Sequence, residues 1–233
     1  MVEEQKDTRQ KLLDAAENLF ADNGLEAVSI RDIATAAEVN VAAVNYHFQG
    51  KDNLYVEVLR QVMKRKQSRY VEALNQEMAQ GSFDLEYLLR TFYRSHFEDT
   101  LKHRSGGNFL KLLVREVHHG STVSIPLMKE FIFPMWEHLA GAIMKAVPAL
   151  SEDQIHWIIG SLHGQLIHFT MRWHKSQCSC PHDTAPQTVQ ALFPSLADDV
   201  DTYIDRAVDH ITRFSVAGIE AMAAGAPSKE GTR

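Results

Sequence analysis

The 233-residue chain predicts an all-α fold of about nine helices, three short ones first and about six longer ones after. Three observations predict it. Apolar residues recur at three- and four-residue spacing along nearly the whole length, and no stretch alternates convincingly as a strand does. Cap residues and glycines cut that pattern into separate helices. Hydrophobic residues make up 45% of the chain and charged residues 23%, enough for a core beneath a solvated surface.

Leu12, Ala15, Ala16, Leu19 and Phe20 form the first apolar stripe, which Asp7 or Thr8 can cap and Gly24 ends. Ser29 caps a short second helix with Ile30, Ile33 and Ala34. After a tight connection near Ala37 to Val39, Asn40 caps a third helix, with Val41, Val44 and Phe48 facing inward, and Gly50 breaks it. Lys51 opens a long fourth helix with Leu54, Val58, Leu59 and Val62 on its inner side; Gly81 and Ser82 mark its end. A fifth helix is expected over 84–103, a loop over 103–108 (HRSGGN), and a short helix over 109–118. The next runs over 126–146, and Pro134 should kink it. Strongly apolar 152–174 follows, then a Pro-bearing connection over 177–195, a last helix over 197–223, and a polar tail. The division expected is 1–50, a three-helix unit, then 51–225, a larger helical domain entered through helix 51–80, then tail 226–233.

Composition removes several classes of function. No run of eighteen or more apolar residues occurs, so no membrane partner is expected. The N-terminus MVEEQKDTRQ is polar and unlike a signal peptide. Two cysteines, Cys178 and Cys180, make no disulfide framework, and a reduced, cytoplasmic protein is expected. No Ser-His-Asp signature, Gly-rich phosphate loop or HExxH motif is present, so no enzyme is expected.

Two short helices joined by a tight turn, with a third packed behind, make a helix-turn-helix. Its second helix must be slim to enter a major groove about 12 Å wide. Ala42 and Ala43 supply a slim face; Asn40, Asn45, Tyr46 and His47 supply hydrogen-bonding groups. Lys51 stands in the first turn of the next helix, whose free N–H groups suit phosphate. The blander possibility is that Tyr46 and Phe48 are core and the rest a solvated face. Global charge does not assist DNA binding: the net charge is -6, and residues 1–66 carry nine Lys or Arg against eleven Asp or Glu.

Residues 8–55, TRQKLLDAAENLFADNGLEAVSIRDIATAAEVN followed by NYHFQGKDNL, resemble the DNA-binding domain of the TetR family of transcriptional repressors. Tyr46-His47-Phe48 and Lys51 belong to the matching pattern, and the run VNYHF is similar to a subset of that family. Two positions depart from it. Glu38 stands where glycine is usual in the turn, and Asn45 where tyrosine is usual. Glu38 must then adopt an unusual φ or sit in an altered turn. The resemblance implies that Ser29 and Arg31 touch the DNA backbone and that Asn40, Val41, Ala42 and Ala43 face base edges. It implies that Asn45, Tyr46, His47 and Lys51 hold phosphates, with Thr8 a weaker candidate.

The resemblance further implies a homodimer, an inverted-repeat operator in double-stranded DNA and a small-molecule inducer; no cofactor is expected beyond that unidentified effector. Ile155, Ile159, Leu162 and Leu166 on one helix and Ile204, Val208 and Ile211 on the last are the expected dimer interface, although such stripes can also face the subunit's own core. Gly160 and Gly164, one turn apart, would let helices approach closely. Phe92, His96, Phe109, Leu113, Glu116 and Trp136 are the expected ligand contacts. His174, Cys178, Cys180 and His182 are weak metal ligands or thiol sensors, because Cys-x-Cys with flanking histidines is not a standard zinc-finger spacing. Two alternatives therefore stand beside a ligand-responsive repressor: a metal- or thiol-sensing regulator, and a helical interaction protein that does not bind DNA.

Overall fold

The computed structural model describes residues 2–79, 84–119, 124–176, 191 and 199–225. Cys178, Cys180, His182, most of the connection after residue 176 and the tail 226–233 lie outside them. Among the described residues every regular element is helical. In order they are α1 (Val2–Asn23), α2 (Ile30–Ala36), α3 (Ala42–Phe48), α4 (Lys51–Ala79), α5 (Leu85–Phe97, followed directly by a π-helical turn at Glu98–Lys102), α6 (Arg104–His119), α7, α8 (Glu152–Ser176) and α9 (Val200–Ala224). Helix α7 starts as Ser124–Leu127, widens into a π-helical turn at Met128–Ile132 and continues as Phe133–Ala146. Pro134 explains the widening. It has no N–H to give and its ring crowds the carbonyl four residues back, so the ladder shifts to a longer bond, from the Phe133 N–H to the Met128 carbonyl. No described helix is long and apolar enough to cross a membrane.

Packing divides the chain into two compact units, Met1–Ser68 with Arg104–Phe133, and Arg69–His103 with Pro134–Arg233. In the first unit Leu12, Ala16 and Phe20 of α1, Ile33 and Ala34 of α2, Val44 and Phe48 of α3, and Leu54, Val58 and Val62 of α4 are buried. Helix α1 stops where Gly24 takes φ +85, and a Cβ there would come within 2.9 Å of the Arg115 guanidinium. Helix α1 runs from Val2, so neither Asp7 nor Thr8 caps it; Asp7 instead pairs with Lys11 one turn on.

The segment 103–108, expected as a loop, is helical from Arg104. Gly106 and Gly107 carry a helix-propensity penalty of about 1 kcal/mol each, but both are buried, and α6 packs on α1. Asn108 donates to Glu17 at 3.1 Å and to Asn18 at 3.0 Å, while Arg65 donates to the other Glu17 oxygen at 2.6 Å. Tertiary contacts override the local preference.

In the second unit α9 packs along α5, and α8 contacts both. Arg90 pairs with Asp209, Arg94 with Asp205, and Lys102 with Asp201. Rising numbers on one side meet falling numbers on the other, so α5 and α9 run antiparallel. Each exposed pair contributes little to stability, about 0–1 kcal/mol, but the acids of α9, spaced four residues apart, meet Arg90, Arg94 and, beyond the end of α5, Lys102 in order, which fixes the register. Beneath them the Tyr93 hydroxyl and Ser215 Oγ lie 2.8 Å apart, buried.

The expected dimer contacts need correction. Ile155, Ile159, Leu162, Leu166, Ile204, Val208 and Ile211 are at most 8% exposed and belong to this unit's own core. Periodicity identifies an apolar stripe, not which neighbour it faces. The outward face of α8 carries Trp157, 76% exposed, with Gly160, Gly164 and Ile167; that of α9 carries Phe214, 65% exposed, with Ala217 and Gly218.

Candidate nucleic-acid interface

Helix α2 starts at a reciprocal cap. The Asp32 N–H donates to Ser29 Oγ at 3.2 Å, and the Ser29 N–H and hydroxyl donate to Asp32 Oδ2 at 2.9 and 2.7 Å. Those bonds from Ser29, side chain first and then backbone, hold the Asp32 carboxyl below its ordinary value. The Ser29 proton is thus already committed within the cap. Arg31, on the same first turn, is exposed.

The turn after α2 closes by two bonds, Glu38 N–H to the Thr35 carbonyl and Val39 N–H to the Ala34 carbonyl, at 3.1 and 3.0 Å. This is the Schellman arrangement, whose penultimate residue takes the left-handed conformation normally left to glycine. Glu38 fills that place with φ 56. Of the two geometries open to the sequence, the unusual φ is the one adopted.

Asn40 then starts α3: its Oδ1 accepts from the Ala42 N–H at 2.8 Å, and its carbonyl from the Ala43 N–H at 2.9 Å. The cap uses the side-chain oxygen, so the group Asn40 can offer to a base edge is its amide nitrogen. Only Val44 and Phe48 of α3 are buried; Val41, expected to face inward, is 36% exposed. Ala42, Asn45 and Tyr46 are also exposed, Tyr46 at 71%. Ala43 and His47 are half-buried, and the His47 ring sits edge-on to Tyr46 at 4.9 Å. Seven residues span about 10 Å at 1.5 Å per residue, a probe two turns long.

The Lys51 ammonium donates to the Leu25 carbonyl at 2.9 Å, bracing the loop between α1 and α2. Arg9, absent from the expected contacts, stacks its guanidinium on the Phe48 ring at 5.1 Å and pairs with Glu57 at 2.8 Å. An arginine two turns into α1 without an acidic residue four positions away was the available signal.

The six expected ligand contacts fall in both compact units. In the second unit Phe92 and Trp136 both reach His163, at ring distances of 6.2 and 5.0 Å, and His96 lies beside Phe97. Burial holds the His163 ring below its ordinary value, partly opposed by its bond to the Ile159 carbonyl. In the first unit Phe109 lies beneath the Lys66 ammonium, Leu113 is half-buried, and Glu116 accepts from the Tyr55 hydroxyl at 2.5 Å. His174 is on α8; among the described residues no cluster of three or more His, Cys, Asp or Glu could hold a metal.

Residues 12–58 match the family described as bacterial regulatory proteins, tetR family. The chain is 34% identical over 104 residues to the HTH-type transcriptional repressor KstR2 of Rhodococcus jostii, covering 41% of this chain and 50% of that one. It is 39% identical over 56 residues to the HTH-type transcriptional regulator AcrR of Shigella flexneri, covering 24% and 26%. The chain thus spans half or less of the length of these relatives. The fold is similar to that of a TetR-like transcriptional regulator from Rhodococcus sp. RHA1, with TM-score 0.59 and 19% identity over 91% of this chain and 96% of that one. It is also similar to that of the fatty acid degradation regulator FadR from Bacillus halodurans, with TM-score 0.56 and 18% identity over 81% and 93%.

Proposed function

The chain belongs to the TetR family of bacterial regulatory proteins, and from that premise we propose that it is a transcriptional repressor that binds an inverted-repeat operator as a homodimer and leaves it when a small-molecule inducer binds. The observation that carries the reading is the outer face of α3. Val44 and Phe48 anchor the helix inward while Asn45 and Tyr46 stay in solvent. A large aromatic phenol left 71% exposed on a two-turn helix suits a partner surface of phosphates and base edges. Asn40, Val41, Ala42 and Ala43 meet the bases; Arg31, Asn45, Tyr46 and His47 meet the backbone.

Dimerisation supplies the second half-site. The surface suited to it is the outer face of α8 and α9 around Trp157 and Phe214. A Cβ on Gly160, Gly164 or Gly218 would meet nothing within 4 Å, so the fold of the single chain does not demand glycine there. A helix crossing closely from a second copy would. The inducer acts by population shift. It favours a spacing of the two reading heads that mismatches half-sites about 34 Å apart, and a differential affinity of a few kcal/mol suffices.

Selection of bound sequences from random duplex DNA tests the reading. Enrichment of an inverted repeat is expected, and recovery of no common sequence would defeat it.

A further inference from the structure

The first compact unit holds a cavity of about 630 Å³ that no expected site includes as a whole. Its described lining comes from the loop after α1 (Leu25, Glu26, Ala27), the first turns of α4 (Asp52, Tyr55, Val56) and Arg115 and Glu116 of α6. Small-molecule sites fall in the range of about 300–1,000 Å³. Leu25, Ala27, Val56 and the Tyr55 ring give it apolar walls. Glu26 and Asp52 stand exposed, while Glu116 is 6% exposed.

Glu116 is the informative member. One carboxylate oxygen accepts from the Tyr55 hydroxyl; the other, Oε2, is enclosed and has no hydrogen-bond partner among the described residues. Burial, reinforced by Glu116, pushes the Tyr55 phenol up, so Tyr55 remains a donor. The Arg115 guanidinium, the cation of the lining, donates to the Asp22 carbonyl at 3.1 Å. A buried carboxylate oxygen left without a donor is costly, and a bound donor with positive charge would relieve the cost. Three carboxylates against one guanidinium disfavour an anion. Hard metal ions take six or more oxygens, and one enclosed oxygen does not offer that.

We infer that this cavity is a binding site for a small organic cation, an ammonium or amidinium on an apolar body, whose charged end pairs with Glu116. The site is separate from the cluster around His163, which lies in the other unit. Binding stands on the cavity alone; only an effect on operator affinity rests on the proposed function.

Isothermal titration of the full chain with benzylammonium, and with benzyl alcohol as the uncharged counterpart at matched ionic strength, tests it. One benzylammonium per chain is expected, bound at least tenfold more tightly than benzyl alcohol. Glu116→Gln keeps an acceptor for Tyr55 and removes the charge; it should weaken benzylammonium by about tenfold or more. Ala27→Phe, at an exposed position of the lining, should block the cavity and weaken binding likewise, and it decides the matter if Glu116→Gln loses its helical circular dichroism. No saturable heat from benzylammonium, equal binding of benzyl alcohol, or unchanged affinity in the folded variants overturns the inference. Selection of duplex DNA by the unliganded chain, run in parallel, registers failure of the regulator reading separately.

Discussion

Replacing Glu38 by glycine should stabilise the first compact unit. Glu38 holds φ 56 at the position where the Schellman turn closes. A residue with a Cβ pays about 1–2 kcal/mol to occupy that region. Glycine occupies it freely but loses more backbone entropy on folding, which returns about 0.4–1 kcal/mol. The net gain is about 0.5–1 kcal/mol, equivalent to about 1–4 °C in the melting midpoint of a chain of this size. Alanine at 38 provides the control: it removes the charge and keeps the left-handed strain, so it should not stabilise. Melting followed by circular dichroism, with both variants at one pH and salt concentration, distinguishes the terms. If Glu38→Ala stabilises as much as Glu38→Gly, the strain argument is wrong and the carboxylate itself is the cost.

Tyr46→Ala should reduce affinity for a selected operator by about tenfold while moving the melting midpoint little, since an exposed side chain contributes about ±0.5 kcal/mol; gel-shift titration beside a melt reads both, and an equal affinity would remove Tyr46 from the interface. If the chain dimerises as proposed, Trp157→Glu combined with Phe214→Glu should yield a monomer in sedimentation velocity, because both side chains are largely exposed in the single chain; a dimer that survives both changes would place the interface elsewhere. His163, kept neutral by burial, binds fewer protons folded than unfolded below its ordinary pKa of 6.5. Its contribution is therefore intact above pH 6.5 and is lost as pH falls from there toward its lowered folded value. Denaturant midpoints at pH 7.5 and 5.5 should differ less in His163→Gln than in the parent chain, and identical pH slopes would refute this. With nine Lys or Arg against eleven acids in residues 1–66, operator affinity should fall with salt less steeply than the neutralisation of ten phosphates per dimer requires, at about 0.9 in log–log slope per phosphate.

Helix boundaries with strong local chemistry were legible in the sequence: the Ser29 cap, the stop at Gly24, and the starts expected near 84 and 152, where α5 begins at Leu85 and α8 at Glu152. The segment 103–108 was not, because the contacts that fold it come from Glu17 and Asn18, some ninety residues away. The polar face of α3 was readable from Asn45 and Tyr46, whereas the engagement of Lys51 with the Leu25 carbonyl depends on how a loop returns toward α4. The buried stripes of α8 and α9 gave the right residues as apolar and the wrong neighbour, since a core and an interface present the same spacing. The cavity beside Glu116 joins three separated segments, and a cavity formed that way has no signature in the order of residues.

The way the chain is threaded limits how chains of this fold can be recombined. The unit that carries α1 to α3 is completed by Arg104–Phe133, supplied after an excursion into the other unit. A hybrid made by cutting after Phe48 and attaching a foreign body would inherit the probe but lose Asn108, Lys111 and Arg115, which tie α6 to α1. A transplant that keeps its grip must carry α6 with α3, so moving that helix between chains here needs two grafts rather than one.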